Sequence, residues 1–125
     1  RPRTQYIADL AGSNLFTGRA ASGDVAVGAF TLRAADTSVS GPVLATIHPR
    51  AISLHLDRPQ GSPRNAWQTT IQRVDHHGDR VRVQVGDPLP LTAEVTPGAV
   101  AALGLAVGSM VWLSVKATEI GVEED

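Results

Sequence analysis

Three short stretches in the second half of the chain carry residue types suited to holding a ligand: Gly61-Ser62-Pro63-Arg64-Asn65, Val95-Thr96-Pro97-Gly98 and Val115-Lys116-Ala117-Thr118. Ser62, Thr96 and Thr118 can each donate a hydroxyl hydrogen, and Lys116 supplies an ammonium point charge. Arg64 offers its backbone N–H or a guanidinium fork. Each stretch falls where a strand ends or a turn begins, so backbone amides are available as further donors. A helix start adds a partial positive charge. This inventory suits a compact tetrahedral oxyanion. The stretches contain no carboxylate, which favours a fully deprotonated anion over a protonated one. No nucleophile–base arrangement accompanies them, so an enzyme is not expected. No Gly-rich loop ending in Gly-Lys-Ser/Thr occurs, so ATP binding by that device is not expected either.

The elements that must position these residues read as strands. Residues 15–21 form an extended run closed by Ser22-Gly23-Asp24. Residues 25–34 are apolar, with Gly28 inside as a bulge or a close backbone approach. Val43-Leu44-Ala45-Thr46-Ile47 is a compact strand stopped by Pro49, and residues 52–56 alternate with period two. Two prolines and a glycine in residues 57–63 leave no room for regular structure and mark the best internal boundary. Residues 66–74 are extended, and Asp75-His76-His77-Gly78-Asp79 reads as the hairpin turn. Arg80-Val81-Arg82-Val83-Gln84-Val85 alternates without fault, so one face is core and the other wet. Thr96 is a good N-cap, Pro97 fits the first helical position, and Val100 and Leu103 form the inward stripe of a short helix ended by Gly104. The last long strand, residues 110–116, turns Val111, Leu113 and Val115 one way and Trp112, Ser114 and Lys116 the other. Residues 120–122 make an edge strand.

The expected fold is therefore mainly β: small OB-like barrels in two subdomains with one short helix, where residues 1–60 could share strands with 61–125. The expected division is a linker over 1–14, a first β subdomain over 15–60, an OB-like barrel over 61–122, and an acidic tail over 123–125. Tyr6 and Leu10 at helical spacing suggest one or two turns in the linker.

Bulk properties narrow the partners. A net charge of −1 and 4% aromatic residues leave neither an electrostatic groove nor stacking platforms for nucleic acid. The absence of cysteine removes disulfides and thiolate metal sites and agrees with a cytoplasmic location. His76 and His77 are adjacent, which on a strand sends them to opposite faces, so they read as turn residues and not as metal ligands. The chain opens Arg1-Pro2-Arg3 without Met, as an excised or processed piece would.

Taken in order, Ser62-Pro63-Arg64-Asn65, Thr96-Pro97-Gly98-Ala99-Val100, Leu103-Gly104-Leu105, Gly108 and Val115-Lys116-Ala117-Thr118 resemble the Mop repeat, the molybdate-binding form of the TOBE (transport-associated OB) domain. The resemblance covers about residues 61–122. It implies that Ser62, Arg64, Asn65, Thr96, Lys116, Ala117 and Thr118 contact molybdate or tungstate, with no other cofactor. Two departures stand out: Pro63 replaces a small residue and removes an amide, and Thr69 replaces a glycine and would crowd the pocket. In the first half, residues 6–14 resemble the segment that leaves the nucleotide-binding domain of importer ATPases. Residues 43–54 resemble the strand–Arg-Pro-Glu–strand piece of their C-terminal TOBE domains, with His48 and Arg50 in place of the usual Arg and Glu.

Together the halves resemble the C-terminal regulatory region of a molybdate importer's ATP-binding subunit. The resemblance implies a cytoplasmic homodimer, peripheral to the membrane through permease subunits, that senses oxyanion and modulates import. Two alternatives stay open: a dimerisation domain that binds no ligand, and a free-standing molybdate storage protein.

Overall fold

The computed structural model describes residues 12–61 and 65–125. Ser62, Pro63 and Arg64, and the helical turns expected around Tyr6 and Leu10, lie outside the described residues.

Ten strands make two five-stranded sheets of matching design. In chain order the first half gives β1 (Asn14–Ala21), β2 (Asp24–Val27), β3 (Phe30–Arg33), β4 (Gly41–Ile47) and β5 (Ser53–His55). The second gives β6 (Asn65–His77), β7 (Arg80–Val85), β8 (Leu91–Val95), β9 (Met110–Val115) and β10 (Ile120–Glu124). One sheet runs β10-β4-β1-β2-β3 and the other β5-β9-β6-β7-β8. Raising each label of the first half by five reproduces the second sheet, except that β5 and β10 have changed places. The molecule is an internal duplication whose halves exchange their last strands. Strand sharing is thus a feature of the fold: β5 pairs antiparallel with β9, as Leu54↔Leu113, and β10 with β4, as Ile120↔Ile47.

Sequence explains most of the elements. Along β6, Asn65, Trp67, Thr69 and Ile71 face inward while Gln68 and Thr70 face out. The first six residues of β6 pair with β9 and the remainder with β7, across a register shift between Ile71 and Arg73. Such a shift bends a strand and lets it serve two partners. Val81, Val83 and Val85 fill the inner face of β7. Inward residues of both halves, among them Val25, Leu32, Ile47, Ile71, Val83 and Leu113, belong to one continuous cluster. Phe30 meets Trp67 edge-on at 5.1 Å, an aromatic contact that ties β3 to β6.

Three local expectations are corrected. The apolar run 25–34 is a hairpin, with Val27 paired to Phe30 across a two-residue turn. Gly28, read as a bulge, occupies the first central position of that turn at φ 58, a conformation that needs no Cβ. His76 and His77 are strand residues, paired with Val81 and Arg80, and the turn is Gly78-Asp79 alone. Glu123 and Glu124, read as tail, pair with Leu44 and Val43 at the edge of the first sheet.

The helix α1 (Pro97–Leu103) matches its sequence signals. Thr96 Oγ1 accepts from Ala99 N at 3.1 Å, and Gly104 closes the helix in the left-handed region at φ 63. Val100 and Leu103 pack as half-buried residues against the core. The corresponding connection in the first half is a polar loop, in which Asp36 accepts from the Ser38 backbone at 2.8 Å and its hydroxyl at 2.6 Å.

Candidate anion pocket

A short 3-10 turn leads into each exchanged strand: Pro49–Ala51 before β5 and Ala117–Glu119 before β10. They are equivalents under the duplication, so His48-Pro49-Arg50-Ala51-Ile52 corresponds to Lys116-Ala117-Thr118-Glu119-Ile120. The capping residues behave differently. His48 Nδ1 accepts from Arg50 N at 3.0 Å, so that side chain closes its own turn. Lys116 makes no side-chain cap and no ion pair among the described residues, and its ammonium is exposed. Its turn is closed by the backbone, Glu119 N to Lys116 O at 2.9 Å, and pinned to the first half by Ala35 N donating to Ala117 O at 3.1 Å. The ammonium is available to a ligand.

The two turns and strand β5 border one open cavity of about 690 Å³. Lys116, Ala117, Thr118 and Glu119 form one side of it, and Arg50, Ser53 and His55 come from the first half. Ser114, set by alternation on the face opposite Val111, Leu113 and Val115, is buried here beside its β5 partner Ser53, and its hydroxyl meets His55 Nε2 at 2.8 Å. Residues carrying hydroxyls, an imidazole, an ammonium, a guanidinium and one carboxylate, that of Glu119, thus line one space large enough for a tetrahedral oxyanion with its water.

Of the residues singled out from sequence, Lys116, Ala117 and Thr118 are brought together at this cavity. Ser62 and Arg64 lie outside the described residues. Thr96 sits at the helix start and does not line the cavity. Asn65 does not line it either, because its side chain is occupied within the fold. Its Oδ1 accepts from Arg33 N at 2.6 Å, and its Nδ2 donates to Arg33 O at 2.8 Å and to Val115 O at 3.2 Å. Asn14 repeats this clasp, holding Thr92 N and O at 2.9 and 2.8 Å and Ile47 O at 3.1 Å. Each asparagine opens the first strand of one half and grips the third strand of the other. Thr69, expected to crowd the pocket, instead faces inward and donates to the carbonyls of Gly86 and Asp87, at 3.1 and 2.8 Å, where β7 turns toward β8.

Arg50, Ser53 and His55 were missed by sequence reasoning, since His55 and Ser114 are 59 residues apart and meet only through the strand exchange. The signal that could have found them is the repeated turn before Ile52 and before Ile120.

Beside the cavity lies an arginine cluster. Glu94, with a side chain only 13% exposed, receives Arg50 Nε at 3.0 Å, Arg82 Nε at 3.6 Å and Arg80 Nε at 3.8 Å. The Arg50 hydrogen bond, followed by the charges of Arg50, Arg82 and Arg80, holds the Glu94 carboxyl below the ordinary glutamate range against an opposing desolvation.

Residues 61–122 match the TOBE domain family. Two curated relatives, the molybdenum import ATP-binding protein ModC of Mycobacterium tuberculosis strain CDC 1551 / Oshkosh and that of strain ATCC 25618 / H37Rv, are each 34% identical over 133 residues. The alignment takes in 97% of this chain but only 35% of each relative, so the chain spans about a third of their length. A solved structure of the cytoplasmic molybdate-binding protein ModG, with molybdate bound, superposes with a TM-score of 0.78 over 90% of this chain and 96% of that one. At 22% identity that likeness concerns the fold. The OB-like β architecture, the family match and the relatives agree: residues 61–122 are a TOBE domain, in a chain related along nearly all its length to molybdenum import ATP-binding proteins.

Proposed function

We propose that this chain is an oxyanion-binding regulatory module whose ligand is molybdate or tungstate. The observation that carries the reading is Lys116, without a side-chain cap or ion pair among the described residues, lining a cavity beside Ala117 and Thr118. Lys116 supplies charge, Thr118 a hydroxyl donor, and the turn's backbone further donors, which together match a small dianion. The names of the relatives, a molybdenum importer's ATP-binding protein and a molybdate-binding protein, supply the anion's identity.

In this reading the module follows the nucleotide-binding part of an importer subunit and works at the cytoplasmic face of the membrane. Attachment to the membrane would run through permease subunits; among the described residues no helix is long and apolar enough to cross a membrane. The module acts as a homodimer. Thr96, remote from the Lys116 cavity within one chain, joins the ligand set if a second copy presents its helix start there. Bound oxyanion biases the attached ATPases toward a state that does not complete transport, which requires tighter binding to that state than to the others.

The test is calorimetric titration of this 125-residue chain with molybdate, with sulfate as control and Lys116→Ala beside it. Saturating heat with molybdate, abolished or strongly reduced in Lys116→Ala, is the expected result. A folded dimer that gives no heat at millimolar molybdate would refute the reading and favour a dimerisation domain without ligand.

A further inference from the structure

Among the described residues, the cavity's lining carries a net positive charge only with a residue from the first half. Among the described residues its charged lining consists of Lys116, Glu119 and Arg50. Lys116 and Glu119 alone sum to zero, and a neutral pocket holds a dianion poorly, since the carboxylate opposes what the ammonium attracts. Arg50 makes the lining net positive. Resting on the oxyanion reading above, we propose that Arg50 is the second cation of the ligand site and that Glu94 is the residue that positions it.

The geometry supports both parts. Arg50 occupies, in the first turn, the place that Thr118 holds in the second, so the duplication sets a guanidinium and a hydroxyl at corresponding points on the border of one cavity. The Arg50 turn is rigid for its length: His48 Nδ1 caps Arg50 N, and Ile52 N closes on Pro49 O. The Arg50 side chain is 57% exposed, yet its Nε is fixed at 3.0 Å from Glu94 Oε1. A guanidinium gripped through Nε keeps its two terminal nitrogens for a second acceptor, and their planar fork suits two oxygens of a tetrahedral anion.

Glu94 also limits the site. It is the only carboxylate paired with Arg50 among the described residues, and its negative charge sits where an incoming anion is repelled. Arg80 and Arg82, at 3.8 and 3.6 Å from the same carboxylate, offset part of that charge. A glutamine at 94 would keep a carbonyl oxygen to accept from Arg50 Nε while removing the charge. It should therefore preserve the orientation of Arg50 and bind the anion more tightly. The two roles of Glu94 separate in that one substitution.

The experiment titrates molybdate into the 125-residue chain and its Arg50→Ala, Arg50→Lys, Glu94→Gln and Lys116→Ala variants, at low and moderate salt. Circular dichroism melts confirm that each variant is folded. Arg50→Ala should lose at least about tenfold in affinity, as expected for a charge-assisted hydrogen bond. Its binding should also depend less on salt. Arg50→Lys should recover only part of the loss, because an ammonium cannot reproduce the fork. Glu94→Gln should tighten binding severalfold. Wild-type affinity in Arg50→Ala, with Lys116→Ala impaired, would overturn this assignment and leave the oxyanion reading standing. Weaker binding in folded Glu94→Gln would overturn the role given to Glu94. No binding by the wild-type chain would overturn the oxyanion reading and this inference with it.

Discussion

Replacing Asn65 with alanine should cost more than any single surface change, because that amide serves as a clasp between the halves. It is 5% exposed and makes three hydrogen bonds of 2.6, 2.8 and 3.2 Å to the backbone of Arg33 and Val115. Alanine leaves the Arg33 N–H and carbonyl without these partners at the seam between β3 and β6. At roughly 1 kcal/mol or more for each bond lost from a shielded group, the sum is about 3 kcal/mol. For a domain of this size that lowers the melting temperature by about 10 °C. Asn65→Asp should be at least as damaging, since it turns the Nδ2 donor into an acceptor that faces the carbonyls of Arg33 and Val115. Urea titration and thermal melts followed by circular dichroism provide the measure. An Asn65→Ala variant within about 0.5 kcal/mol of wild type, the range of neutral surface changes, would refute the clasp as a stabilising device.

Further outcomes follow from the same geometry. Thr96→Ala removes the cap on Ala99 N and should cost about 1 kcal/mol in urea midpoint analysis while leaving the strands intact. Gly18→Ala should be severely destabilising, by about 2 kcal/mol or more, because a Cβ there would lie 2.6 Å from the Ala26 carbonyl oxygen in the paired strand β2. The Glu94 carboxyl is held low chiefly by Arg50, so its contribution is complete above the ordinary glutamate range and is lost as pH falls through the lowered value. Glu94→Gln should accordingly show a smaller loss of urea stability between neutral and acidic pH than the wild-type chain. An unchanged acid sensitivity would mean that the Arg50–Glu94 pair adds nothing to stability.

Much of the second half was legible because its signals are local. The alternation of residues 80–85 and the Thr96-Pro97 helix start each depend on neighbours within a few positions. Residues 25–34 misled because a continuous apolar run does not say where it folds back, and the glycine at 28 reads equally as a bulge or a turn. The histidines at 76 and 77 were read as turn residues for a similar reason, since polar residues on a hairpin's outer end look like loop. The acidic residues 123 and 124 gave no strand signal of their own, because their partners on β4, Leu44 and Val43, are far away in sequence. The site divides along the same line. Lys116, Ala117 and Thr118 were recognisable as one turn, whereas Arg50, Ser53 and His55 enter the cavity only through the exchange of β5. Asn65 shows the opposite case: a residue whose type fits a ligand is consumed by the fold.

An oxyanion seated beside Lys116 can be located directly by anomalous scattering. Crystals of the chain grown with saturating molybdate, measured at the molybdenum edge, should show a peak within hydrogen-bonding reach of the Lys116 ammonium and the Ala117-Thr118 turn. A peak confined to another part of the surface, or no peak at all, would contradict that placement.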